Sequence, residues 1–598
     1  MATEALILAA GTGSRFGSVT AHQPKALIEL NDEPLLFRMI RQCRAAGVQQ
    51  VNIVVGHFAS TVGERVADEF GPEGFSFIAN DQFETTNNIV SLAIGLDHLH
   101  QQSIFPDVLV LECDVILADN VLPRVIASES ANVAVVSPYV AGLDGTVVRL
   151  SGDRVTEFIP TDRQGVDFDY SGTFKTVNVY KFSPEFWSHK LRKLLHWYVD
   201  AIDSGGYYEN AIGLVSYAGP KDLTALTLPS DSWHEVDDSN DLRRAHVKFT
   251  RRPRYGPLTS SHGGWWDFEV TDFYYLRNMH FPPPAMVAQL RGSFVSALQN
   301  YGSEQSVLDL KVSWFLGTAH ENTLFLSGLS SIYPLMAGEF DNPGTLVPSP
   351  SFGEYAARFP RATSYDPHTS MADLRALIET TGARRVVLVN PNNPSGALHA
   401  TKDIVTLMDA LPAVRFIVDE SFLPFTAEQS LTENHEHLAR NAVVISSLGK
   451  TLGVPGLRLG YAWSKDLEWL DGYRRDLPIW AANSIAEQFI SLLPKYKQEY
   501  RQSLARTVID KEEFVRLLAA IPGLTLVPGA HGNFINAMLT NLSADSSLAV
   551  CEEFLTAGHL VKCVNEKVTA DHPLLRIAVR TDPENRVFAQ LLAGVAAG

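Results

Sequence analysis

The residues with the clearest chemical potential lie in Val443–Tyr461, VVISSLGKTLGVPGLRLGY. The β-branched run Val443-Val444-Ile445 predicts a buried strand ending at Ser446-Ser447, with Lys450 just beyond it and Arg458 eight residues further on. A lysine at the mouth of a parallel sheet can form a Schiff base with an aldehyde cofactor. Ser447 and Arg458 would hold that cofactor's phosphate through hydroxyl and guanidinium hydrogen bonds. Taken alone, S-x-x-K also fits a strand, a turn and a solvated lysine. A second cluster is Leu6-Ile7-Leu8-Ala9-Ala10-Gly11-Thr12-Gly13-Ser14-Arg15-Phe16-Gly17, followed by Pro24-Lys25. Here a strand ends in a glycine-rich loop, and Gly11 and Gly13 let backbone N–H groups approach a triphosphate. Arg15 and Lys25 would neutralise its charge, including what develops as pyrophosphate leaves. Alone, that loop also fits an ordinary β–α turn, and no G-K-[ST] follows to make it a Walker loop.

Strands must carry these groups, and further apolar runs supply them. Val386–Asn390 opens into Asn390-Pro391-Asn392-Asn393-Pro394-Ser395-Gly396; Phe416–Val418 ends at Asp419-Glu420; Thr345–Val347 precedes Pro350-Ser351-Phe352. This ordered set resembles the fold-type I pyridoxal-phosphate (PLP) enzymes of the aminotransferase class I/II group, over roughly residue 260 to residue 598. The resemblance implies that Lys450 carries the cofactor and shuttles protons, and that Asp419 pairs with the protonated pyridine nitrogen. It places Asn393 on the ring hydroxyl, Phe352 on the ring face, and Ser330, Ser331, Ser447 and Arg458 around the phosphate. Tyr301 falls where the family sends a tyrosine across a dimer interface. Arg576, in LRIAVR, matches the arginine that grips a substrate carboxylate.

Within that group, Pro455–Tyr461, His262-Gly263-Gly264 and Arg576…Arg580 resemble the threonine-phosphate decarboxylase branch beside histidinol-phosphate aminotransferases. Arg580 and His262 become candidates for a substrate phosphate or phosphonate; surface charge and an N-terminal loop contact are the alternative for the two. Phe422 stands where most aminotransferases carry a tyrosine, removing one hydrogen bond to the ring hydroxyl.

The first third resembles the nucleotidyltransferases that activate sugar phosphates and small phosphorylated alcohols, through L-A-A-G-x-G-x-R…P-K. Val51–Val55, Phe75–Ala79, Val108–Glu112 and Val133–Val136 read as strands of a doubly wound α/β, Rossmann-like layout. The resemblance places Leu8, Ala10, Gly11 and Gly13 against the nucleotide. It places Asp114 and, in Trp233–Asp238, Asp237 on Mg²⁺, which takes one or two carboxylates plus phosphate oxygens. Either aspartate alone also fits a strand-end cap. Thr86–Leu92, with Asn88 and Ser91, resembles the base-recognition segment of cytidylyltransferases acting on phosphocholine-like and phosphonate substrates; an N-cap followed by a helix fits equally. Phe174–Tyr180 resembles the same subgroup, with Lys175 near a reacting phosphate and Asn178 near the acceptor. Tyr207, Tyr208, Glu209 and Trp233 fit an aromatic, acidic pocket for an ammonium group, or core aromatics with a surface glutamate.

Length and composition frame these expectations. A chain of 598 residues is too long for one core. The reading is residues 1–247 as nucleotidyltransferase, 248–261 as a Pro- and Arg-rich linker, and 262–598 as the PLP domain. A net charge of −18 argues against nucleic acid or an anionic membrane as partner. Four cysteines without C-x-x-C spacing, and no apolar run of spanning length, lead to the expectation of a cytoplasmic protein without a zinc site. A homodimer through the PLP domain is what the resemblance implies.

The fusion points to a bifunctional enzyme. The PLP domain would decarboxylate a small amino acid phosphate or phosphonate, and the N-terminal domain would transfer CMP from CTP to the resulting amine. A true aminotransferase feeding the same cytidylyltransferase is the alternative; a non-catalytic ligand-sensing module is the alternative of another class.

Overall fold

The computed structural model describes residues 3–103, 105–218, 223–250, 253–265, 268–434 and 440–597. They form two units, Met1–Glu269 and Val270–Gly598.

The first unit is built on a nine-stranded sheet, in the order Phe75–Ala79, Val51–Val55, Thr3–Ala9, Asp107–Glu112, Thr173–Phe182, Val133–Pro138, Thr224–Thr227, Arg154–Ile159, Val147–Ser151. The first four strands run parallel, and Thr173–Phe182 enters antiparallel between Asp107–Glu112 and Val133–Pro138. Strand alternation puts Ala5 and Ile7 on one face with Leu36, Phe37, Ile40 and Val62, and Leu6 and Leu8 on the other with Ile89, Leu92 and Leu96. Both faces are therefore covered, which is why this strand reads as a continuous apolar run.

In the second unit, seven strands order as Thr323–Leu326, Gly460–Ser464, Ala442–Ser446, Arg415–Asp419, Arg385–Val389, Thr345–Pro348, Thr363–Tyr365. All of these run in one direction except Gly460–Ser464, which is antiparallel to both neighbours. A five-stranded sheet, ordered Thr271–Phe273, His559–Cys563, Leu574–Ala578, Phe534–Leu539, Leu524–Val527, accompanies the helix Lys497–Ala519.

The stretch read as a linker is partly structured. Residues Tyr255–Ser260 form a helix, Tyr255 and Leu258 are buried, and Trp265 Nε1 donates to the Leu258 carbonyl at 3.1 Å. An apolar pair three apart, closed by a tryptophan, overrides the proline and arginine content, and the two units divide at Glu269/Val270. His262 thereby falls in the first unit, while Arg251 and Arg252 of that stretch lie outside the described residues. Among the described residues, no helix is long and apolar enough to cross a membrane.

Candidate active sites

In the first unit the strand ends Ala9 and Glu112 and the loops behind them open on a cleft of about 690 Å3. Leu8, Ala10, Gly11, Gly13, Arg15, Lys25, Asn88, Ser91, Asp114, Lys175, Asn178, Glu209 and Asp237 all line it. Gly13 has φ +64°, and a Cβ there would lie 2.9 Å from Thr20 Cγ2 and 3.0 Å from Lys25 Cβ. Only glycine makes that turn and leaves the lysine its place.

Lys25 Nζ donates to Asp114 Oδ2 at 2.6 Å and Asp237 Oδ1 at 2.8 Å, and Arg15 Nη1 reaches Asp237 Oδ2 at 2.6 Å. Burial opposes the charged amine, yet the two carboxylates outweigh it and hold Lys25 above the usual lysine range. Burial likewise pushes Asp237 up, but Lys25 and Arg15 bring it below the usual carboxylate range. Asp114 Oδ1 is buried with no hydrogen-bond partner among the described residues. Two carboxylates with an open oxygen suit a divalent cation that takes its remaining ligands from phosphate and water. No group of three or more His, Cys, Asp or Glu among the described residues is arranged to hold a metal unaided.

In the same cleft lies a half-buried acidic nest that sequence reasoning only partly found. The strand Thr173–Phe182 shifts register between Thr176 and Tyr180, and Asn178 sits in that irregularity at φ +57°. Asn178 Nδ2 donates to Glu235 Oε1 at 3.3 Å, and Lys175 Nζ lies 3.4 Å from Glu235 Oε2. Asn88 Nδ2 donates to Glu112 Oε1 at 3.0 Å, while Asn87 caps the helix Asn88–Gln101. Burial, then the charges around it, raises Glu112 well above the ordinary range; burial also raises Glu209, and lifts Glu235 to about 7. Glu209 Oε2 has no partner among the described residues. Glu112 and Glu235 were missed; the signal available was their position two residues before Asp114 and Asp237. Tyr207 lines the cleft, but Tyr208 is fully buried against Tyr180 and Trp233 belongs to the apolar core. For those two rings the core reading is the one observed.

In the second unit the parallel strands deliver their ends to one edge, the place where open α/β sheets bind ligands. Asp419 ends its strand fully buried, accepting from Ser421 Oγ at 2.6 Å, Ser421 N at 3.0 Å and Tyr355 Oη at 2.7 Å. Burial raises it above the usual carboxylate range, as suits a group awaiting a cationic partner. Ser447 N donates to Ser421 Oγ at 3.0 Å, tying the strand Ala442–Ser446 to the Asp419 loop. Arg458, at φ +59°, donates from Nη2 to Ser330 Oγ at 3.0 Å, and Ser331 Oγ donates to Gly328 O at 2.8 Å. These groups form a cradle of hydroxyls and one guanidinium that fits a phosphate ester.

Lys450 follows on the short helix Leu448–Thr451, with Nζ 5.6 Å from the Tyr275 ring centre. Burial, then Arg576 and Arg458, lowers its amine to about 8. Gly453 holds this turn in place: its φ is +66°, and a Cβ would lie 2.2 Å from Phe281 O and 2.4 Å from Asn278 O. Gly453→Ala is expected to cost on the order of 3 kcal/mol, read by urea unfolding, because backbone on both sides must retreat.

Arg576 Nη1 donates to Asn393 Oδ1 at 2.6 Å, joining the substrate-side arginine to the Asn390–Gly396 loop. Across the strand pair Lys562 is its register partner; burial, then Arg576 and Lys567, lowers Lys562 to about 7. Lys567 Nζ donates to Ser351 O at 3.2 Å, beside Phe352. Tyr355, Lys562 and Lys567 carried no motif and were missed. Phe352 is 42% exposed near Tyr333 and Tyr355. Phe422 is buried against Phe534 rather than open to the site. Arg580 lies past the strand's end, donating to Asp272 O at 2.8 Å and Glu584 Oε1 at 2.7 Å. Tyr301 is 81% exposed and stacks on Trp480 with centroids 4.5 Å apart.

Comparison with known proteins agrees with this division. Residues 5–161 match the MobA-like NTP transferase domain, and residues 283–592 match aminotransferase class I and II. The chain is 32% identical over 610 residues to CMP-5'-(3-aminopropyl)phosphonate synthase of Streptomyces rubellomurinus, covering 99% of this chain and 95% of that protein. It is 24% identical over 317 residues to L-serine phosphate decarboxylase of Campylobacter jejuni, covering 50% of this chain and 80% of that protein. The fold of the second unit is that of L-threonine-O-3-phosphate decarboxylase from Porphyromonas gingivalis, with a TM-score of 0.50 and 18% identity, covering 55% of this chain and 100% of that one. A nucleotidyltransferase domain and a PLP-dependent aminotransferase-fold domain thus share one polypeptide, and the chain belongs to the aminotransferase class I and II family and, over its full length, to the family of CMP-5'-(3-aminopropyl)phosphonate synthase.

Proposed function

We propose that the second unit decarboxylates a small amino acid phosphonate or phosphate, and that the first transfers CMP from CTP to the resulting amine. The observation that carries this reading is the nest of Glu112, Glu209 and Glu235 in the same cleft as Arg15 and Lys25. One end of the cleft is cationic and suits a triphosphate; the other is acidic and suits an ammonium group, as a phosphonate amine requires. Full-length similarity to a synthase named for a CMP aminophosphonate supports the pairing.

In the cleft, a phosphonate or phosphate oxygen of the acceptor attacks the α-phosphorus of CTP, forming the new P–O bond as the α–β bridge breaks and pyrophosphate leaves. Lys25 and Arg15 stabilise the charge that gathers on the leaving group. Asp114 and Asp237 would hold Mg²⁺, which supplies Lewis-acid polarisation of phosphate oxygens. Lys175, buried beside Glu235, orients the acceptor's anionic end. Glu209→Gln is expected to raise KM for the amine at least about tenfold with little change in KM for CTP, measured by pyrophosphate release. Equal loss for both substrates would remove the ammonium assignment.

In the second unit Asp419 would pair with the PLP pyridine nitrogen, Asn393 with the ring hydroxyl, and Ser330, Ser331, Ser447 and Arg458 with the phosphate. Bound there through Lys450, PLP supplies an electron sink. Tyr355 holds the Asp419 carboxylate in place, and Arg576 takes the substrate carboxylate. Lys562 and Lys567 add positive charge for the substrate's second anion, the role given from sequence to His262 and Arg580. Since Lys450 titrates near 8, its neutral amine dominates above that pH and its cation below. The rate at which apoprotein takes up PLP, followed by absorbance, should therefore rise with pH and level off above about 8, well below the range of an exposed lysine.

The exposed Tyr301–Trp480 stack with Ile479 and Leu298 supports a homodimer through this unit, and four cysteines outside any disulfide support a cytoplasmic setting. Mass spectrometry of products from CTP, Mg²⁺ and a panel of amino acid phosphonates and phosphates tests the whole reading. CO₂ release without an α-keto acid separates decarboxylation from transamination.

A further inference from the structure

A second cavity in the PLP unit, of about 580 Å3, is walled by Leu398, Phe425, Val508 and Val515. None of its lining residues holds PLP or grips the substrate in the reading above. Two polar groups on it stand out, Lys511 and Asn533. Lys511 Nζ donates to the carbonyls of Ala530 and Gly532, at 2.5 and 2.8 Å, and among the described residues no carboxylate forms an ion pair with it. Asn533 is 1% exposed, and both its side-chain nitrogen and oxygen lack any hydrogen-bond partner among the described residues. A buried amide left wholly unmet is costly, and natural proteins seldom keep one without a use. The acids that share the cavity do not answer Lys511: Glu428 accepts from Thr401 N at 2.8 Å, and Glu512 lies exposed on the rim. Arg516, also on the rim, is engaged with Glu513.

We propose that this cavity binds a small organic oxyanion, a carboxylate or phosphonate on a short apolar chain. The charge sits on Lys511, an oxygen meets the Asn533 amide, and the chain lies along Phe425, Val508 and Val515. The site is wired to the PLP centre through backbone. Gly532-Asn533 runs into the strand Phe534–Leu539, whose Asn536 Nδ2 donates to Pro394 O at 2.8 Å. His531 N donates to Gly396 O at 3.1 Å. Both contacts fall on the loop that carries Asn393, which holds Arg576. An occupant would therefore bias the group that grips the substrate carboxylate, a place for product or precursor feedback.

The test is calorimetric titration of the full-length holoenzyme with propylphosphonate, butyrate and inorganic phosphate. Propylphosphonate or butyrate should show a saturable event that weakens at least about tenfold in both Val508→Trp, which fills the cavity, and Lys511→Gln. Val508 holds neither PLP nor substrate in the reading above, so the decarboxylase activity of Val508→Trp without added anion should match wild type. The proposal is overturned if neither organic anion binds, or if binding is the same in wild type and Val508→Trp. Inorganic phosphate binding as tightly as propylphosphonate would overturn the apolar part of the assignment. Because the readout is anion binding remote from Lys450, it can fail while CMP transfer and decarboxylation stand.

Discussion

Lys450→Ala is expected to abolish the visible absorbance of the lysine-bound cofactor and to lower CO₂ release by roughly a thousandfold or more. No neighbour can replace it. Lys562, also shifted down by burial, is the register partner of Arg576 on another sheet and belongs to the substrate side. The same variant should still release pyrophosphate when CTP and a preformed aminophosphonate are supplied. Retained CO₂ release in Lys450→Ala would remove Lys450 from the chemistry. Loss of both activities would point instead to a folding defect, and the far-ultraviolet circular dichroism of the variant decides between them.

Lys25→Ala should lower pyrophosphate release by about 10² to 10³, the size of removing one group aimed at developing charge. The loss should fall on kcat more than on KM for CTP, since Arg15 and the glycine loop still bind the triphosphate. A second consequence follows from the pairing. Removing the amine takes from Asp237 one of the two cations that hold it low, so its carboxyl should rise toward its ordinary range. The pH profile of the residual activity should therefore shift upward relative to wild type. A variant that keeps full activity with an unshifted profile would show that this lysine only props the loop.

Much of the architecture was legible because buried parallel strands write themselves as apolar runs. Val51–Val55 and Phe75–Ala79 are observed with the bounds expected, and Val443–Ile445 and Phe416–Val418 grow by one residue at each end. The residues just past those strands were legible for the same reason: a polar or ionisable side chain at the end of an apolar run has few structural uses. The region after Lys248 was read as unstructured because prolines and arginines dominate it. The helix Tyr255–Ser260 depends on burying two side chains against a tryptophan further along, which local composition does not report.

What the linear order of residues determined by itself is the pair of chemistries: a glycine loop with Arg15 and Lys25 for a triphosphate, and a strand-end lysine, aspartate and asparagine for an aldehyde cofactor. Those depend on residue type and short spacing, and short spacing survives folding. What only the tertiary structure decided is which distant groups share a dielectric. Glu112, Glu209 and Glu235 are ordinary glutamates until the register shift at Asn178 and the surrounding core bury them together. Tyr355 becomes a partner of Asp419 across 64 residues, and Lys562 a neighbour of Arg576, only because strands pair and helices pack. Burial converts these ordinary side chains into recognition groups by removing the water that would otherwise screen them.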